Sequence, residues 1–176
     1  MASYDIAQYL LDRANIQDTV TKNSLYYDTL NIDGLANEVY ADSILIDYTS
    51  ILGGEPTTVS RAEWVDRVRS ILQTFESSQH IISGIVVDLP QPSPKTTTAR
   101  PDKASLKAHV GGNMVLNGQP SENVIQNGGI LEAELQRDAE LEKQGLNPWR
   151  ITKYKVIRKW GKGDKVLESE AQKVKA

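Results

Sequence analysis

Ala104-Ser-Leu-Lys-Ala-His-Val-Gly-Gly-Asn-Met-Val-Leu116 decides how this chain is read. Leu106, Ala108 and Val110 alternate with Ser105, Lys107 and His109, the two-residue period of a strand with one apolar and one polar face. His109 therefore points away from the Leu106 row. The only other histidine, His80, opens a second strand-like run, His80-Ile-Ile-Ser-Gly-Ile-Val-Val-Asp-Leu89. If both runs belong to one curved sheet, two imidazoles can face a single pocket beneath the preceding helices. Two further alternating runs, 127–138 and 149–160, extend the sheet.

The N-terminal half has a helical period instead. Residues 4–12 predict a short helix and 15–30 a longer one, with Ile16, Val20 and Tyr27 on one face. A brief connecting helix follows at 32–39. Ser43-Ile-Leu-Ile-Asp-Tyr48 is a compact apolar strand ended by Gly53-Gly-Glu-Pro56. Ser60-Arg-Ala-Glu63 is a capping box, since the serine hydroxyl accepts from the Glu63 amide while Glu63 reaches back to the Ser60 amide. The helix it starts buries Trp64, Val65, Val68, Leu72 and Phe75. Pro90 to Pro101 is too rich in proline for a sheet interior and is expected to be a mobile surface loop, a lid or a plain insertion. Gly118-Gln-Pro120 and Lys143 to Pro148 supply the later turns.

Helices first and antiparallel strands afterwards predict an α+β fold, with N-terminal helices over the concave face of a strongly bent antiparallel sheet. A chain of 176 residues with 39% hydrophobic content suits one domain, expected over 1–161 with a charged tail at 162–176. A net charge of −3, with acids and bases interspersed, argues against nucleic acid or an anionic membrane surface as partner. The absence of cysteine excludes disulfides, thiol catalysis and thiolate metal sites. No basic n-region with an apolar run follows Met1, and no run approaches a membrane span, so a cytoplasmic protein is expected. Neither a glycine-rich nucleotide fingerprint nor a His-x-x-x-His spacing occurs, so neither a cofactor nor a metal is expected.

Ile16-Gln-Asp-Thr-Val20, Tyr27-Asp28, Ala41 to Tyr48, Ser78-Gln-His80, a histidine on the next strand, and Trp149-Arg-Ile with Ile157-Arg-Lys-Trp-Gly161 together resemble SnoaL-like proteins of the cone-shaped NTF2-like superfamily. Within that group the pattern is similar to scytalone dehydratase. The resemblance implies that Tyr27 and Tyr48 hold a water against a substrate carbonyl, that His80 orients the machinery, and that His109 moves the proton with Asp28 as its carboxylate partner. It departs at Glu132 and Glu134, where the family has serine and asparagine. Two readings of these glutamates stay open: on the pocket face one would have a raised pKa and act as acid or base, and on the solvent face both are ordinary strand charges.

A neutral imidazole beside a carboxylate can take and return a proton near neutral pH, and buried phenols can donate to a developing enolate. The expected function is cofactor-independent acid/base catalysis, a cyclase, dehydratase or isomerase acting on a carbonyl-containing polyketide or terpenoid, with Phe75 bordering an apolar substrate. The alternative is a non-catalytic ligand-binding or assembly module. Copies are expected to associate through the open sheet face as a dimer or trimer. Trp64, Trp149 and Trp160 are expected to be packing residues.

Overall fold

The computed structural model describes residues 4–93, 99–118 and 124–163. In chain order the elements are α1 (Ile6–Asp28), α2 (Ile32–Gly34) running into a π-helical turn (Leu35–Val39), β1 (Tyr40–Asp47), α3 (Thr49–Leu52), β2 (Thr57–Ser60), α4 (Arg61–Leu72), β3 (Phe75–Asp88), β4 (Lys103–Leu116), β5 (Val124–Arg137), α5 (Ala139–Lys143) and β6 (Trp149–Lys162). The strands form one unclosed six-stranded sheet in the order β2-β1-β6-β5-β4-β3. All neighbours are antiparallel except β1 and β6, which run parallel with Tyr40 opposite Ile151 and Asp47 opposite Lys155.

The two helices expected at 4–12 and 15–30 are one, opened by a capping box in which Asp5 accepts from the Gln8 amide and Gln8 reaches back to Asp5. Its buried face explains why the apolar period underreports it. Tyr9, Asp12, Ile16, Thr19, Val20, Asn23, Ser24 and Tyr27 recur at helical spacing, but several are polar. Asp12, Thr19 and Asn23 have partners inside the fold: Asp12 takes the Trp149 indole N–H at 3.0 Å, Thr19 donates to the Trp149 carbonyl at 3.2 Å, and Asn23 donates to the Tyr154 hydroxyl at 3.2 Å. The capping box at Ser60 forms as expected, and the Glu63 carboxylate accepts from the Ser60 amide at 2.8 Å.

Alternation holds along β4 and β5. Ala104, Leu106, Ala108, Leu131, Ala133 and Leu135 are buried in the same core as the inner faces of α1 and α4, and Leu131 pairs directly with Ala108. A bulge between Ser83 and Val86 breaks β3, with Gly84 at φ +61°, a backbone region that only glycine occupies without strain. Such bulges increase local twist and help bend the sheet over the helices. A second irregularity between β5 and β6 shifts the phase of β6. Trp160 consequently lies exposed on the outer face, where its ring packs over Gly128 and not into the core.

The described ends of the 90–101 segment are fastened down. Gln91 donates to the Tyr9 hydroxyl at 2.6 Å, and Arg100 makes two bonds to the fully buried Asp12 carboxylate at 2.7 and 2.9 Å and a third to Glu142. Residues 94–98, 119–123 and the tail beyond 163 lie outside the described residues, so the expectations placed on them have no structural counterpart. Among the described residues no helix is long and apolar enough to cross a membrane.

Candidate functional site

The C-terminal end of α1 brings Asp28 against β3. Its carboxylate accepts from the His80 backbone amide at 2.6 Å and from Ser78 Oγ at 2.8 Å, and one oxygen lies 2.7 Å from His80 Nδ1. Three groups of the Ser78-Gln-His80 run thus close on one carboxylate. Burial alone would raise the Asp28 pKa, but the hydrogen bonds from the His80 ring, the His80 amide and Ser78 outweigh it and hold it below the ordinary carboxylate value. An ionised Asp28 makes Nδ1 the donor, which leaves Nε2 with a lone pair able to take a proton. The His80 side chain is 21% exposed, so the ring is sheltered yet reachable.

Beside this pair lies a cluster of phenols. The Tyr27 ring packs edge-on against His80, with centroids 5.5 Å apart. Its hydroxyl is 2.7 Å from that of Tyr40, which donates to Asn23 Oδ1, and the Asn23 amide donates to Tyr154 at 3.2 Å. Tyr48 stacks on Trp64 at 5.8 Å and tilts against Tyr154 at 6.0 Å. Burial, reinforced by the neighbouring phenols, raises the pKa of Tyr27, Tyr40, Tyr48 and Tyr154 well above the ordinary value, so all four remain protonated donors at neutral pH. Among the described residues the buried Trp64 indole N–H makes no well-aligned hydrogen bond, its near neighbour being the Tyr40 hydroxyl. An interior with this surplus of donors is suited to an oxygen acceptor.

The expectation that both imidazoles face a single pocket is corrected. His80 pairs with Gly112 on the inner face, whereas His109 pairs with Ser83 and Ile130 on the outer face, where it is exposed beside Gly84. The partner of Asp28 is accordingly His80 and not His109. Of the two readings of the glutamates, the outer-face one holds: Glu132 bonds Lys107 at 2.9 Å and Glu134 bonds Lys153 at 2.8 Å. The hydrogen bond from Lys107 lowers the Glu132 pKa, the reverse of what a buried general acid requires. Both outcomes follow from strand parity, because Leu106, Ala108, Leu131 and Ala133 take the inner positions. Phe75 begins β3, half-buried against the core.

Tyr27, Asp28, Tyr48 and His80 are thus brought together, and Tyr40, Asn23 and Tyr154 join them without having been singled out from sequence. Asn23 lies four residues before Tyr27 on α1, a spacing that marks one face. Tyr40 and Tyr154 carry no such local signal. Among the described residues no three histidine, aspartate or glutamate side chains gather where a metal ion could be held.

A model of the SnoaL-like domain matches residues 8–155. Comparison with curated proteins finds no match. Among solved structures, the Kfla4162 protein from Kribbella flavida superposes with TM-score 0.72 at 23% identity over 88% of this chain and 95% of its own. A putative scytalone dehydratase from Novosphingobium aromaticivorans gives 0.67 at 13% identity, covering 88% and 89%. A putative dehydratase of the NTF2-like family from Streptomyces avermitilis gives 0.61 at 9% identity, covering 82% and 94%. At these identities the likeness is one of fold.

Proposed function

Because this chain belongs to the SnoaL-like domain family, we propose that it is a cofactor-independent acid/base enzyme, a lyase or isomerase acting on a carbonyl-containing cyclic metabolite of polyketide or terpenoid type. The observation that carries this reading is the Asp28–His80 pair set against a cluster of buried phenols. His80 Nε2 removes a proton from the carbon next to the carbonyl, and Asp28 steadies the imidazolium that results. The electron pair left on carbon moves into the carbonyl, and Tyr27 and Tyr48 donate to the oxygen as it becomes enolate-like; hydroxyl rotors can turn from each other toward that oxygen. The imidazolium then returns its proton. Delivered to a hydroxyl on the adjacent carbon, it releases water and leaves a carbon–carbon double bond; delivered to another carbon, it completes an isomerisation. Two of the structural neighbours are described as dehydratases, which favours the elimination. His109, Glu132 and Glu134 have no part in this scheme because they stand on the other side of the sheet.

Exchange of α-hydrogens tests the reading without the natural substrate. Cyclohexanone in D2O should take up deuterium faster with the protein than without it, and His80→Ala should remove the acceleration. Binding of the ketone with no acceleration would leave the non-catalytic ligand-binding module as the function.

A further inference from the structure

Asp28 is the last residue of α1, at the negative end of the helix dipole, where a carboxylate is disfavoured and no basic residue of the last turn offsets it. What holds it comes from β3. Its Oδ2 accepts from the His80 backbone amide at 2.6 Å, and its Oδ1 accepts from Ser78 Oγ at 2.8 Å and lies 2.7 Å from His80 Nδ1. Because β3 is an edge strand, an amide that turns away from β4 has no ladder partner, and that of His80 is free to bond the carboxylate. Ser78 and His80, two positions apart, share the inner face, whereas Ser77 and Gln79 are exposed.

Only one of these three donors takes part in proton transfer. The ring gains and loses charge, while the amide and the hydroxyl stay as they are. They grip one oxygen each and so fix the plane of the carboxylate whatever the ring does. The hydroxyl also differs from the group that holds Asp12, farther up the same helix. Asp12 is clamped by the Arg100 guanidinium at 2.7 and 2.9 Å, a fixed cation that neutralises it. Ser78 aligns Asp28 without cancelling its charge, which stays available to the imidazolium.

The geometry points to Ser78 as a positioning residue: by pinning the oxygen that faces the ring, its hydroxyl keeps His80 in the Nδ1–H tautomer, with the Nε2 lone pair free for the substrate. This rests on the proposed acid/base function and adds a residue that acts through Asp28 and His80 rather than on the substrate. Without the hydroxyl, Oδ1 can swing about the remaining bond at Oδ2, and a ring whose partner wanders exchanges between its two tautomers. The Nε2–H form has no lone pair there to take a proton.

Nitrogen-15 NMR of the imidazoles in alkaline buffer tests it, since a ring nitrogen bearing a proton and one bearing a lone pair have well-separated shifts. The chain has two histidines, so the exposed His109 serves as internal reference. Wild-type His80 should show Nδ1 protonated and Nε2 not. In Ser78→Ala the two shifts should move toward each other, and deuterium exchange into cyclohexanone should fall about tenfold, the scale of a slightly misaligned group. Ser78→Thr keeps the hydroxyl on a side chain suited to a strand; it should restore the wild-type shifts and bring exchange within about twofold of wild type. Ser78→Cys, close to serine in size but a poor donor, should behave as alanine does and replaces it should that variant fail to fold. Unmoved His80 shifts in a folded alanine or cysteine variant, shifts that move without loss of exchange, or an equal loss in the threonine variant overturn the assignment. The shifts are read without substrate: a wild type that catalyses no exchange removes the acid/base function, while the tautomer still decides what Ser78 does.

Discussion

The two histidines occupy neighbouring strands of one sheet, yet their surroundings share almost nothing. His80 is sheltered and tied through Nδ1 to a carboxylate that two further donors hold in place. His109 is exposed over Gly84, among the cross-strand ion pairs of Lys107 with Glu132 and Lys153 with Glu134. One step along a strand exchanges one setting for the other, because successive side chains point to opposite faces. Charge also behaves differently on the two sides. Asp28 and Asp12 are held by several donors each, whereas the outer pairs are partly or largely in water, where such bonds contribute little to stability. Imidazole beside carboxylate is therefore not informative by residue type alone; the face decides what it can do.

Replacing each histidine in turn puts this contrast to its hardest trial. His80→Ala should lower ketone exchange by about 10²- to 10⁴-fold, the usual range for a positioned general base. Retained exchange in that variant would break the assignment. Asp28→Asn should cost less, about 100-fold, since the ring stays in place while the imidazolium loses its counter-charge. The same variant carries a pH signature. Because folding lowers the Asp28 pKa, its stabilising contribution is complete above the ordinary carboxylate value and fades as the pH falls through the lower, folded one. Melting temperatures of wild type and Asp28→Asn should differ most near neutrality and converge in acid; a gap that widens on acidification would contradict the geometry.

On the outer face the effects should shrink. A double-mutant cycle on Lys107 and Glu132, read by denaturant unfolding, should give a coupling of no more than about 1 kcal/mol. A much larger value would mean that this face is covered in the working form of the protein. Smallest of all, His109→Ala should change exchange by less than about twofold and leave stability within about 0.5 kcal/mol. A large loss of exchange in that variant would restore the scheme in which the second histidine moves the proton.

Several features were legible before any coordinates. The Ser60–Glu63 capping box, the alternation along β4 and β5, and the Tyr27-Asp28 and Ser78-Gln-His80 pieces all read correctly as helix start, sheet and family pattern. The continuity of α1 was hidden because its inner face carries Asp12, Thr19 and Asn23, each of which bonds a residue more than a hundred positions away. Even the outward direction of His109 was present in the alternation. Local pattern could not say which face the helices cover.

By itself the sequence determined what local chemistry can specify: where helices begin, which strand positions share a face, and which family motif the chain carries. Tertiary structure alone decided that β1 lies parallel to β6, that Asp28 meets His80, and that His109 stands on the other face of the sheet. The physical reason is range. Caps and alternation arise within a few residues of backbone geometry, while the pairing of a helix end with a strand some fifty residues on depends on how the whole sheet registers and bends beneath it.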